Sequence, residues 1–459
     1  AIEGVLRVYD AAGDDAFAAL EALESGKART LLDWMGDPPQ RVDAAAARAL
    51  TAAVHALALD SSRENQRDVQ RRLLETRTVS RQATPLDAVR LREHVDRWPG
   101  VAFLSYWLGR DECWVVWARD GRAGVVELGE RSVVEPLLRA AHDDVADPRS
   151  DPDEALAAAA RCFLGPDEVR ACLVGAERVV FCPDEELGAL PFEAIPFDGI
   201  PIGIGFPIER TPSLSIRDVL ASRTSHGHDV AIVHSVVGTR ALETRYALDP
   251  LEESGAEAAL VVRAHDRIDE LRGDAATVDG FSGLLARGPF DLVHVSAHVV
   301  AAAVPTESLL VLADAPASVA TLVGLPLRGA LVVLSACGSA TGEARSGEGE
   351  VGLLGWPFAA GARGAVASMW SVNQQATKDL MGQFHAILAE GRDAVEAMQV
   401  ARATLAAASN YEHPYYWAGF GVFAAPPLPS RPVGAWLAWS GAGIALSAAL
   451  AYWLRRRSG

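Results

Sequence analysis

LVVLSACGSATGEARSGEGEVGLLGWPFAAGARGAVASMW, residues 331–370, begins and ends on near-continuous apolar runs held apart by a glycine- and charge-rich stretch. The first run, ALVVLSA (330–336), delivers Cys337, and the second is RGAVASMW (363–370). Runs without polar alternation suit strands of a parallel sheet covered on both faces. FDLVHVSA (290–297) and SLLVLAD (308–314) have the same character, and DVAIVHSVV (229–237) reads as another buried strand. Helical spacing falls between and after them, within Leu251–Ala264, at Thr277–Leu285, Gly349–Ala360, Ala376–Ala389 and Arg392–Ala407. Strands alternating with helices predict an α/β unit with a mostly parallel central sheet. YWAGFGVFA (416–424) closes it as a last strand.

Upstream, VAFLSYWL (101–108), CWVVWAR (113–119) and AGVVELG (123–129) predict a strand meander, followed by helices near Val134–Ala141 and Pro152–Phe163 and a strand in VVFCPD (179–184). Residues 1–95 read as helical, with Ala16, Leu20, Leu23, Ala28, Leu31, Leu32 and Met35 at helical spacing. Ser61–Arg90 is charge-rich and reads as an exposed helix or arm. By analogy, residues 1–95 resemble the end of a helical repeat array. The expected organisation is 1–95 helical, 96–228 a non-catalytic first half, 229–425 a catalytic half, 426–432 a proline-rich linker, 433–454 an apolar segment and 455–459 a basic tail.

Val433–Leu454 carries no charge, and as a helix its 22 residues would span about 33 Å, close to a bilayer core. Trp436, Trp439, Tyr452 and Trp453 lie toward its ends, and Gly443 and Ser447 form a small-xxx-small pair. One membrane-spanning helix is expected here. Arg455–Arg457 favour a cytoplasmic C-terminal end. Cysteine usage, and the absence of a visible leader before Ala1, instead favour the folded part on the cytoplasmic side, and that is the expectation adopted.

Asp and Glu total 60 against 42 Lys and Arg, a net charge of −18, so the overall field does not attract nucleic acid. The five cysteines, Cys113, Cys162, Cys172, Cys182 and Cys337, show no C-x-x-C spacing, which argues against a disulfide framework or a zinc ribbon. No metal or other cofactor is expected.

In an open parallel sheet, reactive groups gather past the carboxyl ends of strands. Here one strand ends at His298 and another at Cys337. If the strands are neighbours, the imidazole can take the thiol proton and later protonate a leaving amine. Gly338-Ser339-Ala340 lets the backbone turn sharply, so amide N–H groups can face an oxyanion. A cysteine at the end of a buried strand is nevertheless more often structural. His294, deeper in the His298 strand, is expected to pack in the core.

The combination of segments is similar to the CHAT family, relatives of caspases, separase and gingipains. The resemblance rests on Ser-Ala-Cys at 335–337, Gly-Glu-Gly at 347–349, Ala-Gly-Ala-Arg at 360–363, Ser-x-Trp at 368–370, ELRGDAATVDGFSGLLARGPFDLVHVSAH (270–298), VVFCPDEELGALPFEAIP (179–196) and HPYYWAGFGVFA (413–424). It implies a caspase-like three-layer sandwich and cysteine peptidase chemistry on His298 and Cys337, with the backbone N–H groups of Cys337 and Val299 as oxyanion hole. Family members usually have glycine where Val299 stands and often Glu-Thr-Gly after the cysteine. Trp370, Ser371 and Asn373 are candidate walls of a specificity pocket. Asn373, where relatives often carry an acidic residue, reads equally as a helix cap. Gly338–Glu350 reads as an activation switch or as a surface loop.

The expected function is thus a membrane-tethered cysteine endopeptidase acting on a protein substrate and controlled by upstream repeats or a partner. The family suggests a role in bacterial defence. The rival readings are an inactive caspase-like membrane scaffold and an effector whose anchor oligomerises.

Overall fold

The computed structural model describes residues 2–12, 15–27, 31, 32, 35, 84–224, 229–234, 244, 246, 248, 250–300, 308–336 and 353–423. Cys337, the 338–350 loop, residues 61–83 of the charge-rich arm and the whole of 426–459, with its proline-rich, apolar and basic segments, lie outside the described residues. Among the described residues no helix is long and apolar enough to cross a membrane.

Sixteen strands are described: β1 (Val101–Leu108), β2 (Glu112–Arg119), β3 (Arg122–Glu130), β4 (Arg178–Cys182), β5 (Pro196–Phe197), β6 (Ile200–Pro201), β7 (Ile208–Arg210), β8 (Val230–His234), β9 (Ile268–Arg272), β10 (Leu292–Ser296), β11 (His298–Val300), β12 (Leu309–Val311), β13 (Pro316–Ser318), β14 (Leu331–Ser335), β15 (Gly364–Ser368) and β16 (Phe420–Phe423). Eleven form one sheet in the order β3-β2-β1-β4-β7-β16-β15-β14-β10-β8-β9. The meander β1–β3 and the β15–β16 pair are antiparallel, and every other neighbour pair in this sheet is parallel.

The chain steps from β8 to β9 in one direction and from β9 back past β8 to β10 in the other. Right-handed crossovers then put their connecting helices, Ser254–Ala264 and Val278–Ala286, on opposite faces. The first packs on helix Gln374–Ala389, which packs on Ala394–Ala406. The second meets the short Gly355–Ala359 helix, with Phe281 edge-on to Trp356. Every residue of β8, β10, β14 and β15 is buried, as two covered faces require. Gly361, at φ +100°, makes the turn into β15, a conformation that side chains resist.

One strand departs from the sequence reading. SLLVLAD (308–314) does not join the parallel sheet. Its core, β12, pairs antiparallel with β11 and β13 in a separate three-stranded sheet. A short apolar run shows burial but not the direction of its partner, and here the partner is the His298 segment. The helix expected at Gly349–Ala360 is described only from Gly355 to Ala359.

The first half of the sheet is bound by buried ions. Glu209 and Arg217, neither exposed, pair through two contacts of 2.7 and 3.2 Å. Arg210 grips Glu193 at 2.6 and 3.0 Å, beside Arg402. This gives the LPFEAIP segment its structural meaning: Phe192 stacks on Phe181 at 4.1 Å, and Glu193 neutralises Arg210. The amino-terminal helices join the same body. Glu24 accepts hydrogen bonds from the amides of Leu214 and Ser215, and Lys27 donates to Ser105 and to the Cys182 carbonyl.

Candidate active site

β10 and β14 are parallel neighbours, and their ladder closes on the pair Ser296–Ser335. Adjacent strands lie about 4.8 Å apart. In the sequence His298 and Cys337 each follow two residues after this rung. After Ser296 the chain leaves the main sheet, and His298 opens β11 opposite Val311. The imidazole is half-buried. Val299, opposite Leu310, sits in ordinary extended backbone, and the non-glycine residues of positive φ among the described residues are Asp120, Asp198 and Arg328.

Beneath the strand tips lies a crevice lined in part by Glu257, Ser296, Ser335, Ala336, Gln374 and Thr377. β14 is braced from its other side by β15. Their backbone ladder reaches Leu334–Ala367, and beyond it the buried Ser368 hydroxyl donates to the Ala336 carbonyl at 2.6 Å. The serine of the Ser-x-Trp motif thus holds the residue immediately before Cys337. The tryptophan of the motif acts elsewhere. Trp370 Nε1 donates to the Tyr415 carbonyl at 3.3 Å, and the Tyr415 hydroxyl donates to the Ser371 carbonyl at 2.9 Å. Trp370 and Ser371 are therefore tied to the closing turn, while Gln374 supplies the crevice wall from this segment. Asn373 caps the following helix, its Oδ1 accepting from the Ala376 amide at 3.0 Å.

His294 is buried as expected, yet its surroundings are polar. Its Nδ1 lies 3.1 Å from His385 Nε2, and His385 Nδ1 lies 3.1 Å from His265 Nε2. On the other side His294 Nε2 is 3.0 Å from Glu257 Oε1, although the angle is poor for a hydrogen bond. With each imidazole carrying its proton on Nε2, every contact in this string pairs one donor with one acceptor and aims the last donor at the carboxylate. Burial, with the neighbouring histidines His294 and His265, holds His385 well below its ordinary pKa. Burial lowers His265 too. Both of these imidazoles are neutral near pH 7.

Four thiols are described, and none of them is in a disulfide. Burial pushes Cys162 up to about 11, Cys172 up to about 12 and Cys182 up to about 11. Such groups stay protonated and are poor nucleophiles at neutral pH. Among the described residues no group of His, Cys, Asp or Glu is arranged to hold a metal ion. Sequence reasoning missed Ser368 as a contact, and it missed the Glu257–His294–His385–His265 string. The Ser-x-Trp motif was a signal for the former. Nothing local marks the latter.

A family profile described as the CHAT domain matches residues 153–425, more than half of the chain. This protein belongs to the CHAT domain family. No curated protein sequence matches it. Among solved structures it is similar to the separase–securin complex of Saccharomyces cerevisiae, at 8% identity and a TM-score of 0.48, over 83% of this chain and 34% of that one. It is also similar to gingipain R, an Arg-specific cysteine proteinase, at 11% identity and a TM-score of 0.36, over 65% of this chain and 76% of that one. The complex of the pro- and mature domains of the Porphyromonas gingivalis proteinase matches at 10% identity and a TM-score of 0.37, over 65% and 77%. The match thus spans about a third of the length of the separase-complex chain.

Proposed function

We propose that this protein is a cysteine endopeptidase in which Cys337 is the nucleophile and His298 its acid–base partner. The observation that carries the reading is the parallel pairing of β10 with β14, in register at Ser296–Ser335, two residues before each reactive position. Membership of the CHAT family and the protonated state of Cys162, Cys172 and Cys182 support it. In this mechanism His298 takes the Cys337 proton, and the thiolate adds to the scissile carbonyl carbon. The amides of Cys337 and Val299 hold the oxyanion. The intermediate collapses, the C–N bond breaks, and the imidazolium returns its proton to the leaving amine. Water then attacks the thioester, with His298 again as base, and releases the acid and the free thiol.

The apolar character of 433–454 supports a tether that places this chemistry beside a membrane, with the peptidase on the cytoplasmic side. The acidic balance and the peptidase family support a protein substrate, and the packed amino-terminal helices support control by upstream repeats or a partner. Cys337→Ala is expected to lower cleavage of fluorescent casein by more than about a thousandfold. Undiminished cleavage by that variant would remove Cys337 from the mechanism. Flotation with anionic vesicles is expected to need residues 433–454, and equal flotation after their deletion would remove the tether.

A further inference from the structure

We propose that Ser368 is a positioning residue that aims and strengthens the oxyanion-binding amide of Cys337, through the peptide that joins Ala336 to Cys337. This deepens the reading of Cys337 as nucleophile and rests on it. Ala336 follows the last rungs of β14, which pair Ser335 with Ser296 and Leu334 with Ala367. Its carbonyl therefore needs a donor from outside the ladder, and Ser368 supplies a hydroxyl at 2.6 Å, the short end of the normal range. Ser368 has little freedom of its own. It is fully buried, it stands opposite Phe420 on β16, and the next amide, of Met369, donates to Gly419 at 2.7 Å.

A trans peptide is planar, with its C=O and N–H pointing in opposite directions. A hydroxyl that fixes the Ala336 oxygen fixes the line along which the amide at the far side of that peptide donates. Donation to the oxygen also draws electron density through the amide and makes the N–H a better donor. Both effects matter most when negative charge develops on a substrate oxygen, the step at which preorganised donors act. They matter little to the sulfur itself.

That difference supplies a test on the full chain. Cleavage of fluorescent casein passes through an oxyanion. Alkylation of Cys337 by iodoacetamide forms an S–C bond at a saturated carbon and expels iodide, with no oxyanion. Ser368→Ala is expected to lower kcat roughly ten- to hundredfold, below the effect of deleting an oxyanion donor outright. KM and the rate of Cys337 alkylation, read by peptide mass spectrometry, should stay within about twofold. The isosteric pair Ser368→Thr and Ser368→Val controls for packing: threonine keeps the hydroxyl and should turn over about tenfold or more faster than valine, with equal alkylation. An unchanged kcat, or alkylation falling in step with kcat, would overturn the role of Ser368 while leaving Cys337 in place. Casein cleavage that survives Cys337→Ala, or is absent from the wild-type chain, would instead overturn the nucleophile and this role with it.

Discussion

Two parts of one sheet bury polar groups in opposite ways. Under β4 and β7 the groups are fully charged and matched: Glu209 with Arg217, Glu193 with Arg210, and Arg178 bridging toward Glu209 and Asp393. Under β10 they are imidazoles strung between a half-buried His265 and the crevice carboxylate of Glu257. Matched ions are held by direct contact between opposite charges. Neutral imidazoles are held by burial and respond to pH. The ion-pair lattice lies under β4 and β7, and the histidine string ends at the crevice that Ser296, Ser335 and Ala336 also line.

The sharpest way to break this contrast is Glu209→Ala. It leaves Arg217 without its carboxylate in a site with no solvent access, and losing one partner of a buried pair costs about 3–5 kcal/mol. Urea unfolding should show that loss at unchanged pH. A loss below about 1 kcal/mol would mean that the lattice is not what holds β7 in the sheet.

The string is expected to show itself through pH. An unfolded histidine titrates near 6.5. The folded His385 titrates well below its ordinary value, because burial and then His294 and His265 oppose its charge. Between the two values the unfolded chain binds a proton that the native chain does not, so stability rises with pH and falls on acidification. Its contribution is intact above about pH 6.5 and declines below it, by up to about 2 kcal/mol at pH 5. His94, in the ionic half, is lowered by burial as well and adds a slope of the same sign. The difference between wild type and His385→Gln isolates the string. If both lose the same stability from pH 7 to pH 5, His385 is not the neutral buried group described.

The same contrast explains what was legible in the residues. β1 to β3 stand within one residue of their predicted ends, because apolar runs are bounded there by turns such as Asp120–Gly121, both at positive φ. β10, β14 and β15 were visible for the same reason, whereas the pairing of β10 with β14 entered the sequence reading only as a condition. β7 was not: its three residues include Glu209 and Arg210, which look solvated until their partners are known. His385 and His265 lie 120 residues apart, and Ser368 and Ala336 lie 32 apart. Such pairs exist only once the sheet order is set, and periodicity within a segment contains no trace of them. β12 failed in the same way, since its burial was readable and its partner was not.

The smallest expected effect concerns Asn373, where two readings of one residue stood level. The observed hydrogen bond from the Ala376 amide makes it the cap of the Gln374–Ala389 helix, and an alanine there should cost about 1 kcal/mol. Aspartate keeps that bond and adds a negative charge favourable at a helix amino terminus, so Asn373→Asp should be as stable as wild type or slightly more so. Its effect on substrate choice is the informative part. If Asn373 also borders the specificity pocket, the new carboxylate should raise kcat/KM for peptides with arginine at the cleavage position relative to those with leucine. With Trp370 and Ser371 bonded to Tyr415 and Gln374 on the crevice wall, the expected ratio is unchanged within about threefold, a difference of less than about 1 kcal/mol. A larger rise would move the pocket to this helix end and make the cap a specificity determinant.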